Sequence, residues 1–154
     1  MDSLLILHFY YILLFKGACP NNWINLQGSC YKIVSSALSW NAAKKACEKL
    51  GSTLAMVKSQ AEQQVLSHKI SNAVWMGLHR DPKDTSRWLW VDGTRATYTN
   101  WRTGEPNNAG GDEGCGMIWP ASHNWEWNDG GCSYSFPYIC ETKGKRIEFQ
   151  ICLF

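Results

Sequence analysis

The sequence predicts one α+β domain, on three observations. The chain has 154 residues, 45% of them hydrophobic, enough for a single core of ordinary size. Two capped, amphipathic segments in its first half read as helices. From residue 74 the texture changes to short apolar and tryptophan-rich runs separated by turn residues, which read as strands. The seven cysteines fit an oxidising compartment, since a cytosolic chain of this size seldom carries so many without metal-ligand spacing. No C-x-x-C occurs, so zinc-ribbon and thioredoxin-like readings fail. A net charge of +2 is too small for a nucleic-acid surface.

In chain order, Leu4 to Phe15 is an apolar run of about a dozen residues, near the length of a signal-peptide core and too short to span a bilayer. Asp2 stands where a basic residue is usual and Lys16 lies close to the cut. The reading is a signal peptide over residues 1–18, a mature chain beginning near Cys19, and secretion. Trp23 to Val34 alternates apolar and polar residues around Cys30, the pattern of an opening hairpin. Ser39 can cap a helix carrying Trp40, Ala43, Cys47 and Leu50 on one stripe and ended by Gly51. Ser59 and Glu62 form a capping box for a second helix with Ala61, Val65, Leu66 and Ile70 as its apolar positions. Val74 to Leu78 and Arg87 to Val91 are strands, the latter turning at Asp92-Gly93. Residues 102 to 116 are rich in Gly, Pro and Asn and form a long loop, a length that is usually functional in a compact domain. Met117 to Trp119 and Tyr138 to Cys140 close the domain, which runs over residues 19–142. A short basic tail follows over 143–154, with Lys143, Lys145 and Arg146.

The residues that carry chemistry fall in Glu105-Pro106-Asn107, Glu113 and Trp127-Asn128-Asp129. Three carboxylates and two carboxamides thus lie within about 25 residues, all in loop-forming context. Hard oxygen donors of this kind suit calcium, which takes six to eight oxygens in a flexible shell. Zinc asks for Cys or His, and no His sits at ligand spacing. Because the set mixes acceptors with amides that can also donate, it can hold an ion and still address another molecule's hydroxyls.

From Cys19 to Glu141 the sequence resembles the C-type lectin-like domain. The resemblance rests on Trp75-Met76-Gly77-Leu78, Asn100-Trp101, Glu105-Pro106-Asn107, Trp127-Asn128-Asp129 and the order of Cys47, Cys115, Cys132 and Cys140. It implies two helices flanking two small antiparallel sheets, with the first and last strands paired. Six cysteines alone allow fifteen pairings. The family pattern selects Cys47–Cys140 and Cys115–Cys132, with Cys19–Cys30 closing the extra N-terminal hairpin of the longer family members. Cys152 is left over, either as a free thiol or as the half of an intermolecular disulfide in an oligomer.

The resemblance also implies a role for the oxygen cluster. Residues matching Glu105, Asn107, Glu113, Asn128 and Asp129 hold one calcium in sugar-binding members, Asp129 offering its backbone carbonyl as well. Two vicinal sugar hydroxyls complete the shell and hydrogen-bond the same side chains. Pro106 would then be cis. In the family, Glu-Pro-Asn accompanies equatorial 3- and 4-hydroxyls, as in mannose, N-acetylglucosamine and glucose, and also fucose. Gln-Pro-Asp accompanies galactose, whose binders also place a Trp where this chain has Ala109. The implied partners are therefore mannose-type glycans. Some members hold a second calcium at positions that fall near Asp81, Asp84, Asn108, Glu113 and Gly114. Asn108 and Gly114 cannot supply the carboxylates expected there, so a full second ion is not anticipated.

Trp75, Trp90, Trp101 and Trp127 sit at core positions. Trp119, His123 and Trp125 lie nearer the oxygen cluster, where ordinary loop packing is the default and contact with an extended glycan the sharper alternative. No Ser-His-Asp or Cys-His arrangement is visible and the carboxylates are committed to an ion, so an enzyme is not indicated. The competing class is a protein- or ice-binding relative that keeps the fold and the calcium loop without binding sugar.

Overall fold

The computed structural model describes residues 17–145. The run Leu4–Phe15, Arg146 and Cys152 lie outside the described residues.

Strands β1 (Ile24–Leu26) and β2 (Ser29–Leu38) pair antiparallel through a two-residue turn in which Gln27 and Gly28 have φ of 49° and 89°. Positive φ at both positions is what a type I′ hairpin turn requires. Ser39 then caps helix α1 (Trp40–Lys49), its hydroxyl accepting the Ala42 N–H at 3.4 Å. The helix buries Trp40, Ala43 and Cys47. Leu50, expected on the same stripe, is the C-cap residue and 51% exposed. The helix stops one residue too early for it: Gly51 at φ 67° donates to the Glu48 carbonyl and Ser52 to the Cys47 carbonyl, a Schellman closure.

Strand β3 (Thr53–Leu54) is too short for a sequence pattern and pairs with the last strand. Helix α2 (Gln60–Ser67) is capped by Ser59, with the Glu62 N–H donating to the Ser59 hydroxyl at 3.3 Å, while the return bond of the box goes one residue earlier than expected. The Glu62 carboxylate accepts the Lys58 N–H at 2.8 Å. Its buried face differs from the apolar pattern. Leu66 and Ile70 are buried, but Ala61 is exposed and Val65 half-buried, while Gln63 and Ser67 point inward. The reason is the fully buried indole of Trp127. Gln63 Oε1 accepts its N–H at 2.7 Å, and Gln63 Nε2 donates to Ser67 Oγ and the Trp125 carbonyl, each at 2.9 Å. A buried indole N–H left unpaired costs more than one lost apolar contact.

The remaining strands are β4 (Val74–Arg80), β5 (Trp88–Trp90), β6 (Cys115–Ile118), β7 (Trp127–Gly130) and β8 (Phe136–Lys143). They run in the order β1-β2-β8-β4-β6-β7, with β3 on β8 and β5 on β4. Every pairing is antiparallel except β4 with β8, which is parallel at Trp75 and Tyr138. That rung joins the two antiparallel sheets into one mixed sheet. Strand β6 begins at Cys115, two residues ahead of the expected Met117, because Cys115 and Gly116 already pair with Gly130 and Asp129. The stretch Trp127-Asn128-Asp129, read as loop, is strand β7. Asn and Asp are poor strand formers, yet both are held by this register against β6.

Strand β2 pairs with β8 from Ser29/Lys143 to Leu38/Phe136, and Ala18 bridges Lys145 beyond it. Disulfides join Cys19 to Cys30, Cys47 to Cys140 and Cys115 to Cys132. They tie the chain before β1 to β2, α1 to β8, and β6 to the segment after β7. Trp75, Trp90 and Trp127 are fully buried, and Trp101 is half-buried with its ring 4.8 Å from Trp88 and 5.7 Å from Trp127. The tryptophan-rich core therefore lies directly under β7.

Candidate functional site

Two segments build the site. Strand β7 supplies Asn128 and Asp129, fixed from beneath by Trp127. The loop between β5 and β6 supplies Glu105, Asn107 and Glu113. The Glu105–Pro106 peptide is cis, and Asn108 takes the left-handed conformation (φ 50°) ahead of a single 3₁₀ turn, Ala109–Gly111. Asn is among the few residues that adopt this conformation readily.

Asp129 is the hub. Although completely buried, its carboxylate is well satisfied: Oδ1 accepts the Asn107 N–H at 3.1 Å, and Oδ2 accepts the Asn108 N–H at 2.9 Å and Arg80 Nη2 at 2.8 Å. The Ala109 N–H is shared between Asn107 Oδ1 at 2.8 Å and Glu113 Oε2 at 2.7 Å. Asn108 Oδ1 accepts the Glu113 N–H at 3.0 Å, and the Asn128 side-chain amide donates to the Asp129 backbone carbonyl. Glu105 lies close to the carboxylates of Asp129 and Glu113. Its own carboxyl is pushed above the usual range, first by burial and then by the Asp129 charge. One of its oxygens, Oε2, is buried and has no hydrogen-bond partner. The five residues expected from sequence thus fall into one connected cluster.

Chemically this is a set of oxygen donors that includes one buried carboxylate oxygen without a hydrogen-bond partner. Those features suit a hard cation with flexible coordination, and calcium fits the donor chemistry. Among the described residues, no group of three or more His, Cys, Asp and Glu side chains stands ready to hold a metal. Two of the five candidate donors here are amides, and Asp129 is already engaged by Arg80.

The second set of carboxylates is turned elsewhere. Asp81 Oδ1 accepts the Lys83 N–H at 2.8 Å; Asp84 accepts the Ser86 N–H at 3.1 Å and pairs with Arg87 at 2.7 Å. Asn108 is occupied with Glu113. What the sequence did not reveal is Arg80, at the end of β4. Its Nε and Nη2 donate to the Glu113 carbonyl at 3.3 and 3.1 Å, Nη1 donates to the Thr85 carbonyl at 2.9 Å, and Nη2 also reaches Asp129. Its guanidinium carbon lies 4.7 Å from the centre of the Trp88 ring. The only signal was an arginine closing an apolar strand directly before Asp81.

Of the neighbouring aromatics, Trp119 packs edge-on to His123 at 4.0 Å, with the Arg102 guanidinium 5.9 Å from its ring. Trp125 stacks on His68 of the segment closing α2, at 5.4 Å. That contact is loop packing.

Fold and site together define a C-type lectin-like domain. Residues 36–142 match the family described as Lectin C-type domain, and the chain belongs to that family. C-type lectins are binding proteins, not enzymes. Hepatic lectin of Gallus gallus is 39% identical over 128 residues, which span 81% of this chain and 60% of that protein. A C-type lectin mannose-binding isoform of Oxyuranus scutellatus is 34% identical over 133 residues, 81% of this chain and 84% of the relative. Among solved structures, the carbohydrate-recognition domain of cow CD23, determined in the presence of a GlcNAc2Man3 oligosaccharide, superposes with a TM-score of 0.77. It is 32% identical and covers 84% of this chain and 98% of its own. A calcium-independent type II antifreeze protein superposes with a TM-score of 0.76 at 27% identity, over 83% of this chain and 96% of that one.

Proposed function

We propose that the protein is a secreted, calcium-dependent lectin for mannose-type sugars. The observation that carries the reading is the buried, partnerless Oε2 of Glu105 beside the bonded Asp129, Asn107 and Glu113. Glu105, Asn107, Glu113, Asn128 and Asp129 are the residues that would hold the ion, with the Asp129 carbonyl. Bound calcium would supply coordination to two vicinal sugar hydroxyls. The chain supplies the rest: Glu105 only accepts hydrogen bonds while Asn107 can donate one, so each hydroxyl meets a fixed polarity. In the family the order Glu-Pro-Asn accompanies equatorial 3- and 4-hydroxyls, those of mannose, N-acetylglucosamine and glucose, together with fucose, and we carry that preference over to this chain. The mannose-binding relative and the oligosaccharide-associated CD23 domain support this class.

The hairpin closed by Cys19–Cys30 supports membership of the longer family form. A single shallow contact binds one sugar weakly, so useful avidity requires several sites held together. Cys152 is the proposed covalent route to that oligomer.

Exchanging the polarity of the motif, Glu105→Gln with Asn107→Asp, tests the assignment. Preference should move from mannose toward galactose in a glycan-binding profile; an unchanged profile would sink the site assignment. The second reading, a protein- or ice-binding domain, is favoured by the likeness to a calcium-independent antifreeze protein. It predicts no calcium-dependent retention on any sugar.

A further inference from the structure

We propose that Arg80 is a built-in cation that sets the calcium loop before any ion arrives, in place of a second metal. The inference rests on the calcium-site reading above. Three of its hydrogen bonds converge on the site, two to the Glu113 carbonyl and one to the Asp129 carboxylate, while a fourth to the Thr85 carbonyl anchors the other side of the guanidinium. Among the described residues, the guanidinium is the only charged partner of the completely buried Asp129 carboxylate. It therefore ties the end of the β5–β6 loop to β7, the two segments that build the site.

The contacts to Glu113 and Asp129 restrict two of the candidate ligands. Fixing the Glu113 carbonyl fixes the backbone from which the Glu113 carboxylate projects. Fixing Asp129 Oδ2 orients the carboxylate onto which the Asn107 and Asn108 N–H groups close, and with them the loop after Pro106. Trp88 flanks the guanidinium and limits its swing. A planar fork with five donors satisfies several acceptors at once, which an ammonium cannot do. Meanwhile Asp81 and Asp84 bond within their own turn, and Arg80 is the cation paired with Asp129. Arg80 is thus a positioning residue: it touches the groups that would hold the ion, not the sugar.

The test compares the full mature chain with Arg80→Met and Arg80→Lys, measuring amide hydrogen exchange in chelator and calcium affinity by calorimetry without sugar. In chelator, the amides of Asn107, Asn108 and Glu113 should exchange about tenfold faster in R80M, the size expected for losing a hydrogen bond to a charged group. Amides of β2 and β8 should be unchanged, which shows that the variant folds. R80K, which keeps a charge without the fork, should fall between. Calcium affinity should drop between about 10- and 100-fold in R80M, as for loss of an outer partner of a metal ligand, with one ion bound by the parent chain. Unchanged loop exchange in R80M would overturn the proposal, as would R80K matching the parent or R80M binding calcium as tightly or more tightly. If the parent chain binds no calcium, the calcium-site reading fails, and the exchange comparison in chelator still decides what Arg80 does.

Discussion

Replacing Gln63 with leucine would remove a buried amide while nearly keeping its volume, and so isolate the hydrogen bonds that fix β7. Three bonds are lost, but two of the partners keep another. The Trp125 carbonyl still accepts Asn100 Nδ2 at 3.2 Å, and the Ser67 hydroxyl still donates to the residue-63 carbonyl at 2.7 Å. The loss concentrates on the indole N–H of Trp127, which is completely buried and bonded only to Gln63 Oε1 at 2.7 Å. An orphaned buried donor costs about 1–3 kcal/mol, so the expected loss is about 2 kcal/mol. At roughly 3 °C per kcal/mol for a domain of this size, that is a fall of about 6 °C in Tm. Thermal unfolding followed by circular dichroism measures it. A double-mutant cycle with Trp127→Phe identifies the cause: without the indole donor, Gln63→Leu should cost little, giving a coupling of about 1–2 kcal/mol. Full stability in Gln63→Leu, or zero coupling, would refute the reasoning that a polar residue was placed on α2 to serve Trp127.

Other outcomes follow from the same structure. Replacing both Cys47 and Cys140 with alanine opens a closure of 93 residues and should cost between about 4 and 5 kcal/mol on loop entropy, whereas losing Cys19–Cys30, which spans 11, should cost about 3. Urea unfolding of the two variants gives the order, and a reversed order would contradict the entropic account. Partial burial pushes the Asp92 carboxyl up, but the Lys58 ammonium and the Thr94 hydroxyl and N–H outweigh it and bring it to about 2. A depressed carboxylate contributes stability above its unfolded value of about 3.9 and loses it as pH falls toward 2. With both side chains of the Lys58–Asp92 pair more than a third exposed, the effect is a few tenths of a kcal/mol. Asp92→Asn should therefore be slightly less stable at pH 5, with the gap closing as pH falls through about 2; a gap that widens on acidification would reverse the sign.

The parts of the fold that declared themselves in the sequence were those governed by local chemistry. Ser39 and the Ser59–Glu62 box announced both helices because capping involves residues only three apart. The turn at Asp92-Gly93 was equally legible, with the Thr94 N–H on Asp92 Oδ1 at 2.9 Å. Where a distant partner decided the matter, the pattern failed. Leu50 fits the stripe of α1 but follows its last turn. Gln63 and Ser67 displace Ala61 and Val65 from the buried face because an indole 64 residues away needs an acceptor. Trp127-Asn128-Asp129 has loop-like composition and is a strand because β6 offers it a register. The oxygen cluster was visible as residue types at a spacing. Arg80 was not, since nothing local distinguishes an arginine that reaches across to Glu113 and Asp129 from one facing water.

The central claim is that this cluster binds mannose-type sugar through calcium. Retention of the domain on immobilised mannose and galactose, with calcium and then with chelator, tests it most directly. The account predicts retention on mannose but not galactose, with release by chelator. Passage through both columns in the presence of calcium would contradict it and transfer the weight to a protein- or ice-binding role.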